Sequence, residues 1–241
     1  MSVGDPAAVV KHNARLDFWI ATLTAIATAI AFLVAALTPP KGGPFCVENC
    51  VGYPYTDIAA YIPRDFLWMY PGLLPAPLFV MMLSGIHERT AYDRRRFSRL
   101  GMVLSLMAAT LLTADYFIQL RFIQPAVVKG ELDGLAALTQ YNPHGVFIAL
   151  EEAGYLLMAV AFLFADLAIP PANRLYRLIR WVFGIGFTAV TILFVGLSIA
   201  YGLDVEYRFE VAAIAVDWTV LIVTGSLLAV SYWRAGIERI S

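Results

Sequence analysis

The sequence is poor in charged side chains. Asp, Glu, Lys and Arg make up 15% of its 241 residues, whereas apolar residues make up 60%. A soluble protein with this composition would not have enough polar side chains to cover its surface. The excess apolar surface must therefore face lipid, and the composition predicts an integral membrane protein.

Several residue types and motifs that carry particular chemistries are missing. All three lysines lie outside the long apolar segments, which excludes a retinal Schiff base within them. The three histidines fall on opposite sides of the predicted bilayer, which excludes a facing pair that holds a haem. There is no glycine-rich phosphate loop, nucleophile elbow or His-Glu-x-x-His motif. We therefore expect no cofactor and no transition-metal site, although carboxylates together with His144 have ligand chemistry suited to Ca²⁺ or Mn²⁺.

The sequence has two cysteines, Cys46 and Cys50, separated by three residues. Two thiols without a nearby histidine are too few for a structural zinc site, which needs four ligands. Their spacing also differs from the Cys-x-x-Cys of dithiol oxidoreductases. If this segment faces an oxidising compartment, the spacing favours a short disulfide.

Six apolar segments are long enough to cross a hydrocarbon core, which needs about 20 residues of helix. They are Phe18–Leu37, Phe66–Ile86, Leu100–Phe122, Pro143–Ile169, Arg180–Tyr201 and Phe209–Tyr232. The segments between them are too short to form a further folded unit. The sequence therefore predicts an all-α bundle of six transmembrane helices, with residues 1–241 forming one membrane domain.

The cations are divided unevenly between the two sides of this bundle. Twelve of the seventeen Lys and Arg residues fall on the side of both termini, including the run Arg94-Arg95-Arg96, and five fall on the other. Short loops rich in Lys and Arg stay in the cytoplasm. The pattern predicts a multi-pass cell-membrane protein with both termini cytoplasmic and the cysteine loop outside, while the net charge of −1 argues against nucleic acid as a partner.

Local signals predict how two of the helices are shaped. Pro71, Pro75 and Pro77 remove backbone donors from the second segment and should bend it. Asn142 can cap the fourth helix, with Pro143 at the first helical position. The preceding loop, residues 124–142, contains leucines that fit either a short interfacial helix or plain loop.

Among the carboxylates inside the predicted spans, Asp115, Glu151, Glu152 and Asp217 lie in the outer halves and away from the span ends. At about 1.5 Å of rise per residue, Asp115, Glu151 and Asp217 each lie roughly 10–12 Å below the outer boundary. Ionisable groups at such depth are costly and point to a functional site. Helical spacing adds three expected stripes: His144, Glu151 and Tyr155; Asp115 with Gln119; and Asp217 with Glu210.

These positions predict a polar cavity that opens to the outer side. Glu151 or Glu152 would act as general acid or base, with Asp115 and Asp217 as its partners and with His144 and Gln119 as orienting groups. The expected ligand-binding residues also include Glu210, Arg121, Arg208, Tyr155, Tyr70, Tyr116 and Trp218. Arg64, Arg121 and Arg208 are the candidate counter-charges at the helix ends.

Three classes of function fit this pattern. The first is binding of, or acid/base chemistry on, a lipid-like or isoprenoid-like molecule. The second is a proton- or cation-coupled transporter or channel, which the apolar inner half of the spans disfavours. The third is an accessory subunit of a larger membrane complex or a homo-oligomer, in which the carboxylates hold helices together. Membrane lipid is the expected surrounding in all three.

Overall fold

The computed structural model describes residues 6–237, with side chains from residue 14 to residue 235. The side chains of Lys11, His12 and Arg239 lie outside that range. The predicted orientation uses Lys11 and Arg239, and the exclusion of a haem site uses His12. The described chain is helical and contains no strand. Its α-helices are α1 (Pro6–Ala36), α2 (Met69–Gly72), α3 (Pro75–Arg89), α4 (Arg95–Ile118), α5 (Gln124–Lys129), α6 (Val146–Ala168), α7 (Arg174–Tyr201) and α8 (Tyr207–Ile237).

Six helical segments are long and apolar enough to cross a membrane, as the sequence predicts. They correspond to α1, to α2 with α3, to α4 with α5, and to α6, α7 and α8. The helices extend beyond most of the predicted bounds, because polar ends such as Arg174–Ile179 lengthen the helix beyond its apolar part. Asn173 fixes the start of α7, since its side chain accepts a hydrogen bond from the Tyr176 amide at 3.0 Å.

The predicted start of the fourth helix is wrong. α6 begins at Val146, and residues 142–145 form a turn in which the Asn142 side chain accepts a hydrogen bond from the His144 amide at 3.0 Å. Asn142 therefore caps a turn and not the helix. The expected bend in the second segment takes the form of a break, because α2 ends at Gly72 and α3 begins at Pro75.

The third segment contains an irregularity that the sequence analysis did not predict. A π-helical turn, Gln119–Ile123, joins α4 to α5, and Gly130, with a φ of 75°, ends α5. The following loop has one short 3₁₀ turn, Leu135–Ala137, with Leu135 buried, so most of it is plain loop.

Close packing between α4 and α6 and between α1 and α8 organises the bundle. Small residues permit both contacts, as expected for helices in lipid. A Cβ atom at Gly154 of α6 would lie 2.7 Å from the Leu112 side chain of α4. A Cβ atom at Gly225 of α8 would lie 2.8 Å from the Ala21 carbonyl oxygen of α1. We call the end that carries Cys46 and Cys50 the cysteine end, and the end that carries Arg89 and Arg94 the arginine end.

Candidate functional site

Carboxyl groups from three helices meet inside the half of the bundle nearer the cysteine end. Asp115 of α4, Glu151 of α6 and Glu210 of α8 are all buried and interact electrostatically with one another. Glu152, which is half-buried, is close enough to act on both glutamates. We call Asp115, Glu151, Glu152 and Glu210 the carboxyl cluster. The sequence predicted acids from the same three helices at one depth. It counted Glu210 among the expected ligand-binding residues and not among the deep carboxylates.

Glu151 and Glu210 form the centre of this cluster. Their carboxyl groups face each other, and the Tyr116 hydroxyl lies beside Glu151. Neither oxygen of Glu151 has a partner with good hydrogen-bond geometry, and Asp115 Oδ2 is equally unpaired. Two carboxylates in contact repel each other strongly in a low-dielectric environment. A proton shared between Glu151 and Glu210 removes this repulsion, so the pair can both give and take a proton.

No arginine or lysine neutralises the cluster among the described ion pairs. Arg64 Nε instead lies 2.6 Å from Asp65 Oδ1. Arg208 lies 3.6 Å from Glu206 and stacks on Tyr201, while Arg121 is exposed. The expected pairing of these arginines with the deep acids therefore does not occur. A depth estimate alone does not reveal which partners these side chains take.

A pair of tyrosines borders the cluster. The hydroxyl oxygens of Tyr116 and Tyr155 lie 2.6 Å apart, within hydrogen-bond distance, and both rings are fully buried. Tyr155 interacts electrostatically with Glu151 and also with Asp217 of α8. Asp217 is buried, and neither of its oxygens has a hydrogen-bond partner. Asp217 is therefore not counted in the carboxyl cluster, and Tyr155 is the neighbour with which it interacts.

A cavity of about 450 Å³ lies beside the cluster. Glu210 is one of its lining residues, and most of the others are apolar or aromatic. They include Phe32, Ala35, Ala36, Trp68, Phe147, Ile148, Tyr207, Val211, Ile214 and Ala215. Ala36 and Val211 are exposed on the surface of the bundle, so the cavity reaches that surface between α1 and α8. Its size is in the range of small-molecule sites, which run from about 300 to 1,000 Å³.

The polar part of the cavity lies in the loops at the cysteine end. Asp65 lines it and accepts a hydrogen bond at 2.9 Å from the Tyr141 hydroxyl. Burial, and then the charge of Asp65, raise the pKa of Tyr141, so its hydroxyl stays protonated at neutral pH. Lys41 is the cation among the described lining residues. Asp65 was not among the residues predicted from the sequence. The available signal was its position, since it is a charged residue directly before the aromatic residues at the start of the second span.

The π-helical turn has a clear positional role. It carries Gln119, which is buried and donates a hydrogen bond to the Leu138 carbonyl oxygen at 2.6 Å. Its side-chain oxygen accepts from the Gln140 amide at 3.1 Å. Gln119 therefore holds the loop that presents Tyr141 to the cavity, instead of orienting a deep carboxylate. Single π turns are often found at functional sites.

Three other sequence-predicted residues lie away from the cluster. His144 is exposed, and its ring lies 4.0 Å from Glu206, because the late start of α6 removes it from the stripe expected with Glu151. Tyr70 is 55% exposed and does not line the cavity. Trp218 is buried and packs against Phe32 and Trp68, so it supports the cavity wall from behind.

The cysteines lie at the same end of the bundle. Their sulfur atoms are 2.07 Å apart, the distance of a disulfide bond. Among the described residues, no group of three or more His, Cys, Asp or Glu side chains is arranged to hold a metal ion.

No family model, curated protein or solved structure matches this chain.

Proposed function

We propose that this chain binds a lipid-like or isoprenoid-like molecule in the cavity between α1 and α8, and that the Glu210–Glu151 pair exchanges a proton with its polar group. The observation that carries the proposal is the combination of a mainly apolar cavity with one buried, uncompensated carboxyl pair at its wall. An apolar ligand buries its hydrocarbon part there, and a neutral or cationic polar group meets Glu210.

The roles within the site follow from position. Glu210 contacts the ligand, because it is the member of the cluster that lines the cavity. Glu151 shares the proton from behind, and Glu152 and Asp115 set the local charge. A carboxyl pair that holds one proton serves as general acid toward an alkene or alcohol and as general base toward a protonated amine.

Copurification tests the ligand. The chain, purified in a mild detergent and measured by native mass spectrometry, should retain a lipid-sized mass. Ala35→Phe should remove it by filling the cavity, and Glu210→Gln should weaken its retention. Glu131→Gln, an exposed acid in a loop, is the matched control. Equal retention in wild type, Ala35→Phe and Glu210→Gln would contradict the proposal.

A proton-coupled transporter is the second candidate, and one observation favours it. Glu210, Asp217, Thr224 and Ser231 recur every seven residues on α8, and all four are buried. This polar stripe follows one face of the helix over about 30 Å, the thickness of a hydrocarbon core. Proteoliposomes with a trapped pH indicator test it, because a transporter with this stripe passes protons across the membrane and an Asp217→Asn variant does not.

We also propose that the cysteine end faces outward and both termini face the cytoplasm, on the strength of the cation distribution. Val47 and Tyr92 provide matched labelling sites, since they lie at opposite ends and are 89% and 90% exposed. In a Cys46→Ser, Cys50→Ser background, an impermeant thiol reagent applied to intact cells should label Val47→Cys and spare Tyr92→Cys. The reverse pattern would overturn the orientation.

Alkylation of the native chain without reductant should leave both cysteines unmodified.

A further inference from the structure

A second cavity, a groove of about 750 Å³, runs along α7 near the arginine end of the bundle. It shares no lining residue with the cavity beside the carboxyl cluster. Of the six candidate spans, the one formed by α7 has the smallest buried share, so much of its surface is available to another molecule. The groove is therefore a candidate binding site separate from the one proposed above.

Two arginines line the polar end of this groove. Arg180 Nε lies 2.6 Å from Asp166 Oδ1, and its two terminal nitrogens are not part of that contact. Arg177, three residues earlier, is exposed and has no ion-pair partner among the described residues. Two guanidinium groups beside one carboxylate leave an excess positive charge here. Guanidinium groups bind phosphate through paired, charge-assisted hydrogen bonds, so this end of the groove suits a phosphate group.

The rest of the groove is mainly apolar and follows α7 from Trp181 past Ile185 to Ile192, all three of which are exposed. Trp181 and Ile192 are eleven residues apart, which is about 16 Å along the helix axis. Half of a hydrocarbon core is about 15 Å thick. The apolar part of the groove therefore has the length of one leaflet, and Trp181 lies between it and the arginines, as aromatic residues do at the boundary between headgroups and hydrocarbon.

We propose that this groove binds an anionic phospholipid, with its phosphate on Arg177 and Arg180 and an acyl chain along α7 as far as Ile192. Charge complementarity selects an anionic lipid, because a zwitterionic headgroup brings no net charge to balance the excess positive charge. The proposed orientation places the arginine end in the cytoplasmic leaflet. Basic pockets on that side of membrane proteins bind anionic headgroups.

Native mass spectrometry of the full chain tests the phosphate contact. The chain is transferred into mixed micelles that contain equal amounts of phosphatidylglycerol and phosphatidylcholine with the same acyl chains. We expect one phosphatidylglycerol to be retained per chain, in wild type and in Ala35→Phe alike. Arg177→Gln should lower this retention about tenfold, the lower end for a lost hydrogen bond to a charged group. Arg99→Gln is the matched control, because Arg99 is exposed at the same end but does not line the groove.

A second pair of variants tests the acyl-chain contact. Thr188 lines the groove, is exposed, and donates a hydrogen bond to the Gly184 carbonyl oxygen at 2.8 Å. Thr188→Trp therefore fills the groove without removing a contact to another helix, and it should reduce phosphatidylglycerol retention to the level of phosphatidylcholine. Thr110→Trp is the control, because Thr110 is exposed on α4 and donates the equivalent bond to the Leu106 carbonyl oxygen at 2.8 Å. Thermal unfolding verifies that both variants are folded.

Three results would overturn the proposal. Equal losses in Arg177→Gln and Arg99→Gln would mean a general attraction of the arginine end to anionic lipid, without a site. Full retention in Thr188→Trp would mean that no acyl chain occupies the groove. A lipid-free dimer that Thr188→Trp converts to a monomer would assign the groove to a second copy of the chain.

The same measurements separate this inference from the proposed function. If phosphatidylglycerol is retained through Arg177 and no copurifying molecule is lost in Ala35→Phe, the groove is supported and the proposed function fails. If Ala35→Phe removes a copurifying molecule and Arg177→Gln has no effect on phosphatidylglycerol, the groove alone fails.

Discussion

Acids within the long helices differ in how they are compensated near the two ends of the bundle. Near the arginine end, Asp17 of α1 pairs with Arg89 of α3, and Asp166 of α6 lies 2.6 Å from Arg180 of α7. Nearer the cysteine end, Asp115, Glu151 and Asp217 have oxygens without any partner. Ion pairs that join two helices serve the assembly of the bundle. In this bundle the acids that have a counter-charge join two helices, whereas the proposed site is built on acids that have none.

The largest loss of stability should come from breaking one of the compensated pairs. Arg89 donates hydrogen bonds to Asp17 and to the Gly85 carbonyl oxygen and stacks on Tyr232. Arg89→Ala leaves Asp17 buried without a partner and should lower the free energy of unfolding by about 3 kcal/mol. Unfolding of the chain in mixed micelles measures this loss. The exposed Arg96→Ala serves as the control, and equal stabilities would show that the ion pair is not structural.

The helix contact that brings the carboxyl cluster together should be the next most sensitive feature. A methyl group at Gly154 would lie 2.7 Å from the Leu112 side chain, so either that side chain or the two helices must shift to accept it. Gly154→Ala should cost about 1–3 kcal/mol and should also weaken ligand retention. Gly196→Ala is the control, because nothing lies within 4 Å of a Cβ atom there. A Gly154→Ala chain as stable as that control would indicate that this packing is loose.

The smallest change in stability should come from the uncompensated acids. Glu151→Gln removes the titrating group but keeps a side chain of nearly the same shape. Because the amide can keep a contact with Glu210 and removes the repulsion between two carboxyl groups, the free energy of unfolding should stay within about 0.5 kcal/mol of wild type. Ligand retention should fall. A large loss of stability together with full ligand retention would show that Glu151 is a structural residue, like the paired acids near the arginine end.

The sequence predicts the composition of the site better than its arrangement. The number of spans follows from apolar length, and the depth of Asp115, Glu151 and Asp217 follows from the rise of a helix. Which of them face one another depends on rotation about each helix axis, at about 100° per residue. The predicted start of α6 was three residues early, and so His144 was assigned to a stripe that it does not share.

Other features depend on tertiary contacts that no local pattern encodes. Asp17 lies just before the predicted first span, but only the packing of α1 on α3 makes Arg89 its partner. Glu210 and Asp217 share one face of α8, yet Glu210 interacts with Asp115 and Glu151, whereas Asp217 interacts with Tyr155. The π turn at residues 119–123 carries Gln119, which bonds to a loop about 20 residues away in the sequence.

The route into the cavity determines how binding is to be quantified. Ala36 and Val211 are exposed on the bundle at ends of candidate spans and also line the cavity. On the proposal above, a lipid-like ligand uses this opening and enters sideways from the bilayer, where it is already concentrated by partitioning. Its occupancy then depends on its mole fraction in the membrane. An apparent Kd expressed per volume of buffer will change with the amount of lipid present, even though the affinity of the cavity is constant.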